Sequence, residues 1–141
     1  MRNPTGSEVV VVRGDDVLFV RRALEPNAGL WEMPGGFSEL GEHPTDTARR
    51  EAREELGVEV RLLGVLGFYL DPYLGELVHV TSYLAETDDP IVIDPDEVSE
   101  YRWFALDALP PEHEASPGHL DRTRDLRRLR AGETPLALRT D

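Results

Sequence analysis

The sequence predicts one domain of mixed α/β class, an α+β arrangement in which a mixed β-sheet lies between helices. Three observations predict it. Strand-length runs rich in Val, Leu, Tyr and Phe recur between Glu8 and Leu106, a stretch from Pro44 to Leu56 carries helix start and stop signals, and an Arg-rich helical stretch spans His119 to Arg130. A chain of 141 residues can bury roughly two thirds of its unfolded surface, so neither a disulfide nor a structural zinc is required. No internal repeat or second domain is evident.

Met1 to Ser7 is polar, with Pro and Gly, and is expected to be a loose lead-in. Glu8 to Arg13 (EVVVVR) is the β-branched run of a strand covered on both faces, and Gly14-Asp15-Asp16 turns it into Val17 to Arg22 (VLFVRR) as a hairpin. Arg21 and Arg22 end that strand on opposite faces; either could reach a site at the sheet edge, although a solvated end is the plainer reading. Glu25 to Leu30 is a turn-rich loop. Trp31-Glu32-Met33 is a short strand, with Trp31 expected in the core rather than as a platform for a base, and it delivers Pro34-Gly35-Gly36. After the Pro44 helix, Glu59 to Asp71 is strand-rich, with Gly64 and Gly67 marking a bulge or bend, and Asp71 to Gly75 is a turn. Glu76 to Thr87 alternates as a half-buried strand, in which His79 reads as a hydrogen-bonded sheet histidine. Thr87 to Glu100 is acidic and loop-like, Glu100 to Leu106 is a strand, and Pro110 to Gly118 is a Pro-rich loop. The closing helix is anchored by Leu120, Leu126 and Leu129, and its arginines read as a basic exposed face.

The chemistry concentrates in Gly36 to Val58, GFSELGEHPTDTARREAREELGV. Pro44 suits the first helical position and Gly57 the left-handed residue past the end. Glu51, Glu54 and Glu55 are related by three and four positions, so their carboxylates share one side, while Ala48, Ala52 and Leu56 form the inward stripe. Carboxylates so close repel one another, and a hard divalent cation would remove the conflict. Oxygen-only ligands without cysteine point to Mg²⁺ or Mn²⁺. Arg50, beside Glu51 and one turn before Glu54, can hold a carboxylate through its forked donors, which gives it an orienting role. The backbone freedom at Pro34-Gly35-Gly36 lets Gly35 offer a metal-binding carbonyl. Acidic and basic residues on a helix are ordinarily a solvated face, the reading kept for Arg49 and Arg53. The combined spacing weighs against it: Gly36, five residues, Glu42, seven residues, Arg50-Glu51, an apolar residue, any residue, Glu54-Glu55, any residue, Gly57, an apolar residue. Chance would produce that in on the order of one chain in 10⁵.

This pattern resembles the signature box of the Nudix hydrolases, which Gly36, Glu42, Arg50, Glu51, Ala52, Glu54, Glu55, Gly57 and Val58 all match. The resemblance implies an α/β/α sandwich and Mg²⁺- or Mn²⁺-dependent hydrolysis of a nucleoside diphosphate linked to another group. It further implies that Glu51, Glu54 and Glu55 supply most metal ligands, with the general base among Glu54, Glu51 and an acid near Glu97 or Glu100. His43 departs from the Ser or Thr that often caps the helix, a substitution expected to cost ~1 kcal/mol. Gly67 to Pro72 looks like the same segment of ADP-ribose pyrophosphatases and dinucleotide-cleaving members, which favours ADP-ribose or a dinucleotide as substrate. A nucleoside triphosphate pyrophosphohydrolase is the alternative, and a non-catalytic nucleotide sensor, which tends to lose the box glutamates, is the alternative from another class. Arg22 and Glu97 are the candidate substrate contacts.

The formal net charge of −13 argues against a nucleic acid polymer as partner, since such affinity comes largely from Lys and Arg releasing counterions. Zero cysteines exclude a thiol nucleophile and suit a reducing compartment. No signal peptide or membrane-length apolar run is visible, so a cytoplasmic protein without membrane contact is expected. One sequence does not give the oligomeric state; that many relatives pair leans toward a homodimer.

Overall fold

The structure is a computed structural model that describes residues 4–134. Its elements are β1 (Thr5–Arg13), β2 (Asp16–Arg22), β3 (Trp31–Glu32), β4 (Gly35–Phe37), α1 (Pro44–Leu56), β5 (Arg61–Tyr73), β6 (Glu76–Glu86), β7 (Val98–Ala105), a 3-10 turn at Glu112–Glu114, and α2 (His119–Arg130). The mixed sheet between two helices expected from sequence is present. No described helix is long and apolar enough to cross a membrane. The expected lead-in is strand from Thr5 onward, because β1 begins pairing with β6 there; Met1 to Asn3 lie outside the described residues.

β1 organises the sheet. It runs parallel to β6 from Thr5↔His79 to Val11↔Ala85, and its other edge is divided between two partners. β4 takes the first half, with Gly6↔Phe37, Ser7↔Gly36 and Glu8↔Gly35. β2 takes only the end, with Val12↔Val17 and Arg13↔Asp16. The predicted hairpin is therefore closed only at its turn, and β2 departs to pair with β3 and with β7. β4 falls where the sequence offers only flexible backbone, since a three-residue strand of Gly-Gly-Phe shows no side-chain alternation. β5 forms a long hairpin with β6, continuing through the expected turn to Tyr73, with register shifts beside Gly64 and Gly67 where a bulge was expected.

The covered faces follow from alternation along the strands. Val9 and Val11 join Leu18 and Val20 under Ala48, Ala52 and Leu56 of α1. Val10 faces the other way, with Val17, Phe19, Trp31, Phe104 and Leu126 of α2. Trp31 is core, as expected, edge-on to Phe104 at 5.1 Å. Burying each of the three fully covered valines of β1 contributes about 1.5–3 kcal/mol relative to exposure.

α2 differs from its expected character. Leu126 is buried and Leu120 partly so, but Leu129 is exposed. The second anchor is instead Arg122, with no side-chain exposure at all. Its guanidinium donates to Glu8 Oε2 and Oε1 at 2.7 and 3.1 Å, to Asp71 Oδ1 at 3.0 Å and Oδ2 at 2.5 Å, and to the Gly118 carbonyl at 2.8 Å. Its flat face lies 4.0 Å from the Tyr69 ring, whose hydroxyl donates to Asp125. A buried charge is tolerable only when matched and hydrogen-bonded, and here two carboxylates from β1 and β5 match one fork. Arg122→Met should consequently lose about 3–5 kcal/mol of stability in urea unfolding, because two buried carboxylates would be left without a counter-charge.

Candidate active site

α1 is set by local chemistry at both ends. His43 caps it, Nδ1 accepting the Thr45 N–H at 3.2 Å, so the imidazole fills the role that the missing Ser or Thr would have had. Gly57 takes a left-handed conformation at φ 66°. That position also admits the loop behind it: a Cβ there would lie 2.8 Å from the Val92 carbonyl.

The three box glutamates do not share one environment, as a simple division into core and anionic sides would have it. Glu51 and Glu55 are buried, while the Glu54 side chain is 47% exposed. β4 covers the first two. Gly35 N–H donates to Glu55 Oε2 at 3.2 Å, and a Cβ on Gly36 would sit 2.4 Å from Glu51 Oε1. Gly35 is equally confined on its other side, where a Cβ would lie 2.6 Å from the Ser7 carbonyl and from Glu8 Cβ. Only glycine lets a strand pass this close to both a neighbouring strand and a carboxylate. Because the Gly35 N–H turns from β1 toward α1, ladder alternation turns its carbonyl the same way.

Glu97 reaches the same place from the loop before β7. Val92 N–H donates to the Leu56 carbonyl, Asp94 N–H to the Glu55 carbonyl, and Ala23 N–H to the Glu97 carbonyl. One carboxylate oxygen each from Glu51, Glu55 and Glu97 lies within 4.8 Å of the others. Burial first, then the charges of Glu51, Glu32 and Glu97, push the Glu55 carboxyl well above the usual carboxylate range. Burial likewise pushes Glu51 up, against the pull of Arg50.

Arg50 is the hub of the box. It donates to Glu42 Oε2 and Oε1 at 2.8 and 3.0 Å, to Glu51 Oε1 at 2.9 Å, to the Glu54 carboxylate at 3.3 Å and to the Phe37 carbonyl at 2.9 Å. Glu42 also accepts the Thr47 hydroxyl at 2.6 Å. The fork thus orients Glu51 and Glu54 together and ties the loop before α1 to β4.

These groups line a cleft of about 450 Å³. Arg22 lies in it, half-buried rather than solvated, donating to the Pro26 carbonyl at 2.7 Å and to Glu32 at 3.2 Å. Phe37, partly exposed at its mouth, and Tyr73 stand edge to face, 5.2 Å apart, and Ser116 and His119 also line it. Sequence reasoning missed Phe37, Tyr73, Glu32, Ser116 and His119; only Phe37 carried a signal, as a large apolar residue directly after two glycines. Glu100 is instead paired with Arg21 and Arg102 on the surface. His79 is exposed beside Phe68 and Leu70, outside the cleft.

A family model described as the NUDIX domain matches residues 4–126. The NAD-capped RNA hydrolase NudC of Pseudomonas aeruginosa is 40% identical over 105 residues, covering 73% of this chain and 36% of that protein. The NAD-capped RNA hydrolase NudC of Pseudomonas putida is 36% identical over 104 residues, covering 73% of this chain and 37% of that protein. The chain thus spans little more than a third of the length of these relatives. Among solved structures, the crystal structure of a MutT NUDIX hydrolase from Burkholderia pseudomallei has a TM-score of 0.82 at 26% identity, covering 89% of this chain and 99% of that one.

The Arg50–Glu42 pair can be read directly in solution. Hydrogen bonds from Arg50, then from Thr47, hold the Glu42 carboxyl down to about 2. The stability this pair contributes is present above the unfolded value of about 4.3 and is lost as pH falls through the folded one. In Arg50→Met, a carboxyl-carbon NMR titration should find Glu42 raised toward about 4.3 but still below it, since the Thr47 hydroxyl and the Glu39 N–H go on donating to it.

Proposed function

The chain belongs to the NUDIX family of hydrolases, and from that premise we propose that it cleaves the phosphoanhydride of a nucleoside diphosphate linked to another group, with a dinucleotide of the NAD type or ADP-ribose as substrate. The observation that carries the reaction class is the cluster of Glu51, Glu55 and Glu97, partly buried against the backbone of Gly35 and Gly36 inside an open cleft. Three carboxylates, two of them raised in pKa by burial and then by neighbouring negative charge, suit a hard divalent cation, Mg²⁺ or Mn²⁺. Glu51, Glu55 and Glu97 would hold it, with the Gly35 carbonyl as a further oxygen and Glu54 at the margin. Such an ion, when bound, polarises phosphoryl oxygens and lowers the pKa of water.

The chain's own residues do the rest. Arg50 fixes the carboxylates of Glu51 and Glu54 relative to each other. Glu54, half exposed and oriented by that fork, is placed to accept the proton of an attacking water, with Glu51 as the alternative acceptor. The water oxygen forms a bond to phosphorus as the bridging P–O bond breaks; the proton passes through the carboxylate to solvent, and two phosphate monoesters leave. At the cleft mouth Phe37 and Tyr73 offer a face on which a base can stack.

The names of the relatives favour a dinucleotide over a triphosphate, and the retained glutamates favour an enzyme over a sensor. A net charge of −13 weighs against a basic track for RNA, so the diphosphate is taken to be the part recognised. A panel of NADH, ADP-ribose, a diadenosine polyphosphate, NAD-capped RNA and nucleoside triphosphates, with Mg²⁺ or Mn²⁺, tests this. Monophosphate products from NADH or ADP-ribose are expected. Pyrophosphate release from triphosphates alone, or binding without turnover under either ion, would overturn it.

Two variants follow. A protonated Glu55 stabilises the fold fully below the unfolded value of about 4.3, and that contribution is lost as pH rises through its elevated folded value. Glu55→Gln in chelator at neutral pH should therefore resist urea better than wild type, while turnover on the preferred substrate drops at least about a hundredfold. Phe37→Ala should raise KM for NADH by roughly 5- to 150-fold, the range of one lost base stack, with kcat little changed in steady-state assays.

A further inference from the structure

One wall of the cleft is formed by Glu32, Asp71, Ser116 and His119, none of which the reaction uses. His119 opens α2, and its Nδ1 accepts the Met33 N–H at 2.9 Å. A ring nitrogen that accepts a hydrogen bond carries no proton, so the neutral imidazole holds its proton on Nε2. Nε2 is 3.5 Å from Asp71 Oδ2, too far for a strong hydrogen bond, and that oxygen already receives Arg122 Nη2. The side chain, only 12% exposed, thus presents an N–H whose nearest protein acceptor is engaged elsewhere.

The charges around it are settled within the protein. Arg122 is matched by both Glu8 and Asp71, and Arg22 is matched by Glu32. Among the described residues, no positive charge along this wall is left over for another phosphate, and the carboxylates there would repel one. An uncharged polar group meets no such opposition.

We infer that this wall is a subsite for an uncharged group that carries a hydrogen-bond acceptor and is joined to the diphosphate, a sugar hydroxyl or a carboxamide oxygen, read by the Nε2–H of His119. The inference rests on the diphosphate reading above. Burial and the nearby Arg122 charge hold the imidazole down to about 3, so the donor stays neutral through the working pH range. The same ring, by accepting the Met33 N–H, also holds the segment that leads into Gly35.

Steady-state kinetics of two variants separate reading, which moves KM, from holding of the segment before Gly35, which would move kcat. In His119→Gln the amide can accept from Met33 and still donate to substrate, whereas His119→Leu can do neither. With the divalent ion present, His119→Leu should raise KM about tenfold, the worth of one hydrogen bond near 1.4 kcal/mol, with kcat within about twofold. His119→Gln should stay near wild type. A rise for both ADP-ribose and NADH identifies a sugar hydroxyl as the acceptor, and a rise for NADH alone identifies the carboxamide. Unchanged KM in His119→Leu, or equal losses in both variants, would overturn the subsite. A second measurement does not depend on the Leu variant folding: in wild type labelled with ¹⁵N-histidine and supplied with Mg²⁺, the His119 Nε2–H resonance should shift when a non-hydrolysable methylene-bridged analogue of NADH is added. A resonance that stays still while others titrate would also overturn it. Wild type inert toward both substrates would overturn the diphosphate reading itself, whereas an active wild type with an indifferent His119→Leu would overturn only the subsite.

Discussion

The close approach of β4 to α1 is the contact on which the rest of the site depends. It places the Gly36 Cα where a side chain would collide with the Glu51 carboxylate, and it turns the Gly35 N–H onto Glu55. Two carboxylates are thereby taken out of bulk water and held beside each other, which raises the cost of their charge and the site's appetite for a cation. The approach is possible because β1 gives β4 half of one edge and forces β2 away toward β7. The same divergence leaves room for the cleft. One division of a strand edge thus connects sheet topology to the electrostatics of the glutamates.

What could be read beforehand depended on whether a signal was local. α1 was legible to the residue, since Pro44 and Gly57 mark its ends without help from the rest of the chain. The two covered faces of β1 were legible because Val9, Val10 and Val11 leave no polar side to the strand. Glu51, Glu55 and Arg50 were legible through their spacing, although the burial of the first two was not, because burial comes from β4, a strand too short to show alternation. Arg122 escaped altogether. Five residues of His119 to Arg130 are arginines and two are aspartates, and nothing local separates the one arginine that turns inward. The available clue was distant: Glu8 and Asp71 each sit in a strand otherwise apolar nearby, and buried acids require a cation. Long-range charge matching of this kind is invisible to periodicity.

The roles of the arginines bear on how a polyanion is handled by so acidic a chain. All 15 basic residues are arginine, and the forked guanidinium is used here mainly as internal scaffolding: Arg122 joins β1, β5 and α2, and Arg50 joins the loop at Glu42, β4 and α1. A lysine ammonium could not span those partners in fixed directions. Among the described residues, the arginines lining the cleft are Arg22 and Arg50, and both are already engaged by carboxylates. The arginine contribution to neutralising a leaving phosphate is therefore small. A diphosphate entering this cleft brings negative charge to a place where the glutamates are in excess, and association would be unfavourable unless charge of the opposite sign came with it. That imbalance supports the divalent-cation reading independently of ligand geometry: with its arginines committed to structure, the cleft needs a positive charge from outside the chain to accept the substrate proposed for it.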